Sequence, residues 1–161
     1  MAYEEFTRKI RIDAPREIVM QYWLMPGLVQ LWFVPECGYA SPTAGPRAEN
    51  ALAEAGDRYT WTWVDGTTDS GTMRLIDFPR RFVAGWFNDT CEIEITADIE
   101  DEGTVLSLTQ RNTQESEEER MAAYWDCSLG WAFYLVNLKS VLEGGIDLRE
   151  TNPDIKGLVN W

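Results

Sequence analysis

The chain of 161 residues carries 27 acidic and 14 basic side chains, for a formal net charge of −13. Nucleic acids and anionic membrane surfaces are bound through Lys and Arg, so this excess of carboxylates argues against both partners. The charge favours solubility, with a specific basic partner as the alternative. The eight tryptophans are unusual, because rings this large are costly to expose and most must line a core, a cavity or an interface.

The chain contains no histidine. This removes the commonest general base near neutral pH, the nucleophilic arrangements that use it and histidine-based zinc sites. Cys37, Cys91 and Cys127 form no CxxC pair and indicate ordinary thiols in a reducing compartment. The acidic N-terminus is unlike a signal peptide, and no apolar run approaches the ~20 residues of a membrane span. We therefore expect a cytoplasmic protein without membrane insertion, metal, cofactor or recognisable catalytic residue.

The N-terminal part predicts a strand, two short helices and a loop. Apolar and polar side chains alternate over residues 6–13, which is typical of a strand. A helix is predicted from Pro15 and ends at Met25-Pro26-Gly27, and a second short helix is predicted over residues 28–33. Residues 35–50 contain three prolines among small polar residues, and this composition predicts a loop.

The middle of the chain predicts an antiparallel meander, since short turns join consecutive strands. Asp65-Gly66 is a strong hairpin dipeptide, and Glu102-Gly103 marks a later turn. The alternation of apolar and polar residues predicts strands at about residues 58–63, 71–77, 82–87, 91–99 and 104–110.

After residue 115 the apolar spacing changes to that of a helix. Ser116 and Glu119 form a capping-box pattern, and Gly144-Gly145 is typical of a helix end. A helix over residues 116–143 would be ~42 Å long. Its apolar face is predicted to hold Met121, Trp125, Ser128, Ala132, Leu135, Leu138 and Leu142.

Residues 146–161 follow as a tail with an apolar end. The tail is expected to dock onto the body or onto a partner through Leu158, Val159 and Trp161. By length the chain predicts a single domain over 1–161, with a core at about residues 6–145.

Several segments carry a family resemblance through their order and spacing, namely Ile10–Pro15, Leu31–Pro35, Asp77–Phe82 with Trp86, Gly103–Gln110, and Gly130-Trp131 continuing to Gly144. Together they resemble the START-related helix-grip (SRPBCC) superfamily, in the branch similar to the activator of Hsp-90 ATPase homologue family. The resemblance covers residues 6–149. The C-terminal extension and the loop after Phe33 depart from it.

The resemblance implies an α+β helix-grip fold. A curved antiparallel β-sheet would wrap around the long C-terminal helix, with two short helices after the first strand and an internal apolar cavity. No single activity follows, because the superfamily includes lipid carriers, aromatic cyclases, a resistance protein sacrificed to an antibiotic and chaperone-associated domains.

Polar side chains interrupt three apolar strand faces, at Arg8, Arg74 and Gln110. An inward Arg needs a carboxylate, water or a ligand, because a buried unpaired charge is expensive. The alternative for both arginines is an outward orientation at a strand end or bulge. Gln110 is predicted to contact a ligand, since a few polar groups in an apolar pocket orient what binds there.

The aromatic residues that share faces with these positions either fill the core or line a pocket of a few hundred Å³. Under the second interpretation the predicted ligand-binding residues are Trp32, Tyr59, Trp61, Trp63, Trp86, Gln110, Trp125 and Trp131.

Three functional hypotheses remain open. The first is non-enzymatic binding of a small hydrophobic or aromatic molecule in the cavity. The second is a protein-interaction module, either associated with a chaperone or acting as a homodimer. The third, weaker hypothesis is a cyclase-like or hydrolytic enzyme that uses a carboxylate.

Overall fold

Strands form where apolar and polar side chains alternate, and helices form where the apolar spacing changes to three and four residues. A computed structural model describes residues 2–161. In chain order its elements are β1 (Glu5–Ile12), α1 (Arg16–Leu24), α2 (Pro26–Val29), β2 (Glu36–Ser41), β3 (Gly45–Pro46), β4 (Arg58–Thr62), β5 (Thr68–Asp77), β6 (Arg81–Trp86), β7 (Cys91–Glu100), β8 (Gly103–Asn112) and α3 (Glu117–Gly144).

The strands form one eight-stranded antiparallel sheet in the order β1-β8-β7-β6-β5-β4-β2-β3. The predicted meander is confirmed, because β4 to β8 are neighbours in sequence and in the sheet. The Asp65-Gly66 turn joins β4 to β5, where Gly66 has a φ of +85° and the Trp63 N–H donates to the carbonyl of Thr67 over 2.8 Å. The α+β helix-grip architecture inferred from the resemblance is therefore confirmed.

The loop predicted over residues 35–50 is wrong in part. Residues 36–41 form β2, which pairs with β4 and places Cys37 opposite Trp61. Pro46 lies in β3, the outermost strand, where its missing N–H breaks no central hydrogen-bond ladder. The prolines thus mark the edge of the sheet.

The second short helix also differs from its prediction over residues 28–33. Helix α2 begins at Pro26, in the first turn, where a fixed φ and a missing N–H are tolerated. It ends at Val29, and residues 30–33 continue as turns.

Helix α3 has the predicted caps. The Ser116 hydroxyl accepts a hydrogen bond from the Glu119 N–H over 3.2 Å, and Gly145 adopts a left-handed φ of +72°. Neither α3 nor any other helix within residues 2–161 is long and apolar enough to cross a membrane.

The face of α3 that packs on the sheet is rotated from the predicted one in its first half. Leu135 and Leu138 are buried as predicted, but Met121 and Trp125 are 40% and 60% exposed. The buried stripe continues from Leu135 back through Trp131 to Cys127, and the half-buried Tyr124 extends it by packing its ring edge-on against Phe6. Spacings of three and four residues fit both Tyr124 and Trp125, and packing against Phe6 places Tyr124 on the inner side.

The two arginines on apolar strand faces have different environments. Arg74 lies where the β5–β6 register shifts, and it points outward to form ion pairs with Glu92 at 3.0 Å and Asp89 at 3.7 Å. This confirms the outward orientation at a bulge. Arg8 instead faces α3, where its guanidinium donates a hydrogen bond to the Ser128 hydroxyl and lies 5.4 Å from the Phe6 ring centroid.

The first prediction concerns the buried face of α3. Leu135→Ala should lower the free energy of unfolding by ~2–5 kcal/mol, because Leu135 is only 2% exposed and truncation leaves a cavity. Val136→Ala is the matched control, since the neighbouring Val136 is 50% exposed; it should change stability by less than ~0.5 kcal/mol. Urea unfolding measures both. Equal effects at the two positions would contradict the assigned face.

The second prediction concerns pH. Burial opposes ionisation of Asp57, but hydrogen bonds from Arg47 and Glu54 outweigh it and lower the pKa of this carboxyl below its ordinary value. An Asp whose pKa is lower in the folded than in the unfolded protein stabilises the fold at pH values above its unfolded pKa of ~3.9. This stabilisation is lost as the pH falls through the pKa of the folded state. Burial raises the pKa of the Cys37 thiol to about 12. The contribution of this thiol to the free energy of unfolding is present below the unfolded pKa of ~8.5. It is lost as the pH rises from ~8.5 toward the pKa of the folded state.

With no histidine to titrate, the free energy of unfolding should form a plateau between about pH 6 and 8 and decrease on both sides. Urea unfolding across the pH range measures the profile, and Asp57→Asn should flatten its acid limb. A steep change near pH 6.5 would contradict this assignment.

Candidate ligand site

A cleft of about 370 Å³ lies between the end of the sheet, α3 and the C-terminal tail, and it opens to solvent on one side. Half of its lining residues are aromatic. The lining comprises Phe33, Trp63, Asp65, Thr67, Trp86, Phe87, Asp126, Cys127, Gly130, Trp131, Tyr134, Leu158, Val159 and Trp161. Pockets for small molecules have this size and this apolar character with few polar groups.

The sheet contributes one wall. Trp63 directly follows β4, and Trp86 is the last residue of β6, so the antiparallel pairing of β4, β5 and β6 brings them to the same end of the sheet. Their ring centroids lie 6.0 Å apart in an edge-to-face arrangement. The Asp65-Gly66 turn lies beside this wall and places Asp65 at the rim.

Helix α3 contributes the second wall through side chains on one stripe. Cys127, Trp131 and Tyr134 are separated by four and three residues, which places them on the same side of the helix. Gly130 lies beside them, and a Cβ at Gly130 would meet no atom within 4 Å. The absence of a side chain at Gly130 therefore leaves part of the cleft open.

The tail forms the third wall, where Trp161 contacts the body while Leu158 and Val159 remain 38% and 69% exposed. The Tyr134 hydroxyl connects all three walls: it accepts a hydrogen bond from Trp63 Nε1 at 3.1 Å and donates one to the Trp161 carbonyl at 2.7 Å. Asn137, which is fully buried, accepts a hydrogen bond from the Leu148 N–H at 2.7 Å. These contacts hold both ends of the tail against α3.

Gln110 positions Trp131 and does not line the cleft. Its carbonyl oxygen accepts from Trp131 Nε1 at 2.9 Å, and its amide donates to Asn112 at 2.8 Å. The side chain is completely buried, and both ends of its amide are occupied. The predicted ligand contact at Gln110 is therefore replaced by a hydrogen bond that orients an aromatic side chain of the cleft.

Cys127 is the thiol that lines the cleft. Burial is the largest influence on this thiol and raises its pKa. A thiol with a raised pKa is protonated near neutral pH and is a poor nucleophile. Within residues 2–161, no three His, Cys, Asp or Glu side chains come together as a metal site would require.

Two carboxylates belong to the lining, whereas none of its residues is Lys or Arg. Asp65 accepts hydrogen bonds from the N–H and hydroxyl of Thr67 at 2.8 and 2.6 Å, and these bonds, with a smaller contribution from the positive charge of Lys156, lower its pKa. In the part of the chain that the structure describes, the side chain of Asp126 makes no hydrogen bond or ion pair. The lining residues therefore carry formal negative charge, which the nearby Lys156 ammonium offsets in part beside Asp65.

A second open cavity of about 410 Å³ lies where β1 and β8 meet the start of α3. Polar and charged side chains line it, among them Arg111, which pairs with Glu5 at 2.9 Å and Glu92 at 3.0 Å. Because its lining lacks the apolar surface that small-molecule sites use, we assign the ligand site to the aromatic cleft.

The predicted site residues divide into three groups. Trp63, Trp86 and Trp131 line the cleft. Four others are buried in the core away from it, namely Trp32, Tyr59, Trp61 and Gln110. Trp125, which was expected to face the interior, is on the surface.

Hydrogen bonds and ring stacking explain why these predicted site residues lie in the core. Trp32 Nε1 donates to the Tyr22 carbonyl at 2.7 Å, which fixes this ring beneath α1. Tyr59 stacks on Trp61 at 3.9 Å, and its hydroxyl donates to the Gly85 carbonyl at 2.7 Å. The rings beneath the centre of the sheet therefore pack against one another, and the void lies at one end of the sheet–helix interface.

Sequence reasoning missed several lining residues. Tyr134 and Cys127 could have been found, because they continue the helical stripe of Trp131. Phe33 and Phe87 lie outside the regular elements, where no periodicity marks their orientation.

Comparisons with known proteins agree with this architecture. A family model described as Activator of Hsp90 ATPase homolog 1-like protein matches residues 13–143. Because the match covers most of the chain, the protein belongs to this family. The tail from residue 144 onward lies outside the matched segment.

Solved structures share the fold at low sequence identity. Protein SSP2350 from Staphylococcus saprophyticus is 18% identical, with a TM-score of 0.69 over 90% of this chain and 96% of that chain. CalU16 from Micromonospora echinospora is 21% identical, with a TM-score of 0.65 over 88% and 77%. The Aha1 dimer from Colwellia psychrerythraea is 16% identical, with a TM-score of 0.69 over 88% and 97%. A search of curated proteins gave no match.

The third prediction concerns the bridge that joins the walls. Tyr134→Phe removes the hydroxyl and leaves the Trp63 N–H and the Trp161 carbonyl without this partner, so it should destabilise the fold by about 1–2 kcal/mol. The backbone N–H groups of the tail should also exchange faster with deuterium. Tyr22→Phe is the control, because within residues 2–161 the Tyr22 hydroxyl makes no hydrogen bond. Unchanged exchange in the tail of Tyr134→Phe would show that the hydroxyl does not hold it.

Proposed function

We propose that this protein binds a small aromatic or hydrophobic molecule in the cleft and does not transform it. The observation that carries this proposal is the cleft of about 370 Å³, walled by tryptophans of the sheet, the helix and the tail. Stacked and edge-to-face aromatic contacts contribute about 0.5–1.5 kcal/mol each beyond area burial, so several rings around one void favour an aromatic guest.

The polar groups of the cleft support binding over catalysis. A general base near neutral pH is most often histidine, and the chain has none. The Cys127 thiol has a raised pKa, and the Asp65 carboxylate is occupied by Thr67. We include in this proposal a cytoplasmic location and one domain over residues 1–161.

A second candidate function is self-association through α3. Met121, Trp125 and Leu129 are spaced four residues apart on the outer face of the helix, and Trp125 and Leu129 are 60% and 64% exposed. Large apolar side chains in one exposed stripe are typical of protein contacts. A structural neighbour is described as the Aha1 dimer. Sedimentation of the protein and of Trp125→Ala tests this candidate.

The fourth prediction tests the cleft with acridine, a flat neutral probe near neutral pH. Acridine should quench tryptophan fluorescence saturably and raise the melting temperature, because a ligand that binds the folded state stabilises it by mass action. Gly130→Leu should reduce acridine affinity at least tenfold without lowering stability, since the new side chain enters the open cleft.

Gly144→Leu is the matched control. A Cβ at Gly144 also meets no atom within 4 Å, but this residue ends α3 and does not line the cleft. It should leave acridine affinity unchanged. Acridine binding that survives Gly130→Leu would place the probe elsewhere, and no saturable binding to the unmodified protein would refute the proposed function.

A further inference from the structure

Four tryptophan rings with different orientations line the cleft. Trp63, Trp86, Trp131 and Trp161 all line it. The Trp86 and Trp131 rings are tilted by 48° at 5.2 Å, and the Trp63 and Trp86 rings by 66° at 6.0 Å. Each ring face carries partial negative charge, and a cation within about 6 Å of a ring centroid is attracted to it. Rings set at an angle around one void therefore favour a positive guest.

One such contact is already made within the chain. The ammonium of Lys156 lies 5.4 Å from the ring centroid of Trp161 and also donates to the Pro153 carbonyl at 2.6 Å. Lys156 is not among the residues that line the cleft. A cation can therefore pack on the Trp161 ring, but Lys156 already does so, which leaves Trp63, Trp86 and Trp131 as the rings available to a ligand cation.

Asp65 and Asp126 add formal negative charge to the rim. Among residues 2–161, the Asp65 side chain accepts hydrogen bonds only from Thr67 and the Asp126 side chain makes none, so neither carboxylate has an ion-pair partner within 4 Å, although the charge of Lys156 acts on Asp65 from a longer distance. A fatty acid or other carboxylate at this rim would be repelled, and a cation would be attracted. The net charge of −13 acts in the same direction over a longer range.

We propose that the natural ligand of the cleft is a lipophilic organic cation, an amine or quaternary ammonium attached to an aromatic or apolar body. This inference rests on the proposed function and adds the charge of the ligand to it. The tryptophan faces and the two rim carboxylates hold the cationic group, and the apolar side chains of the tail cover the body.

Three probes of nearly the same size and shape but different charge show how the charge of a ligand affects its affinity for the cleft. Near pH 7.5, 9-aminoacridine is a cation, acridine is neutral and acridine-9-carboxylate is an anion. Isothermal titration calorimetry should show that 9-aminoacridine binds about 5- to 30-fold more tightly than acridine. Acridine-9-carboxylate should bind more weakly than acridine. If acridine binds and the cation binds no more tightly, the inference is wrong and the proposed function stands; if none of the three binds, the proposed function itself fails.

Two variants that each remove one carboxylate show whether cation binding depends on the rim carboxylates or on the net negative charge of the whole protein. Asp126→Asn should weaken 9-aminoacridine binding by about 3- to 10-fold and leave acridine binding unchanged within about twofold. Glu118→Gln removes the same charge from the exposed first turn of α3, outside the cleft, and should have no such effect. Equal losses in the two variants would mean that only the net charge attracts the cation, and this result would overturn the proposal.

Discussion

The architecture depends on one stripe of side chains on α3. From Tyr124 through Trp131 to Leu138, the residues that face the sheet are separated by three or four positions. This spacing is a geometric consequence of 3.6 residues per turn, and the apolar area it buries holds the helix against the sheet. The same stripe passes Cys127, Gly130 and Tyr134, so the contact that stabilises the fold also forms one wall of the cleft.

The hydrogen bonds around the cleft explain why its aromatic walls are ordered. Gln110 fixes the orientation of Trp131 from the sheet, and the Tyr134 hydroxyl joins Trp63 to the carbonyl of Trp161. A buried amide or hydroxyl without partners would cost about 1–3 kcal/mol, so each of these groups is constrained to its position. The rings on opposite walls are therefore held apart, and a space remains at the end of the sheet while the centre is filled.

Much of the fold follows from patterns in the sequence. Alternation predicted the strands from β4 to β8, and the Ser116 and Gly145 signals bounded α3 to within a residue at each end. The pairing of residues 36–41 with β4 was not predictable in this way, because a short edge strand has weak alternation and its partner is distant in sequence. Trp125 was misplaced because the apolar residues of α3 occur on more than one side of the helix.

The candidate site was harder to predict than the fold. Periodicity indicates which face of a strand is inward, and on that basis Trp61 and Trp63 are equivalent. The packing separates them: Trp61 is stacked in the core, while Trp63, just beyond the end of β4, reaches the cleft. Which ring lines a void depends on contacts among distant segments, including a tail outside the family match, and local patterns do not contain this information.

Ligand binding in the void at the end of the sheet can be tested directly through the tryptophan side chains. The eight indole N–H groups give separate reporters in a 15N-correlated NMR spectrum. On titration with acridine, we expect shifts of the four indoles that line the cleft, with little change at Trp23, Trp32 and Trp61 in the core or at Trp125 on the surface. Shifts centred on Trp125, or equal shifts across all eight indoles, would contradict binding in the cleft.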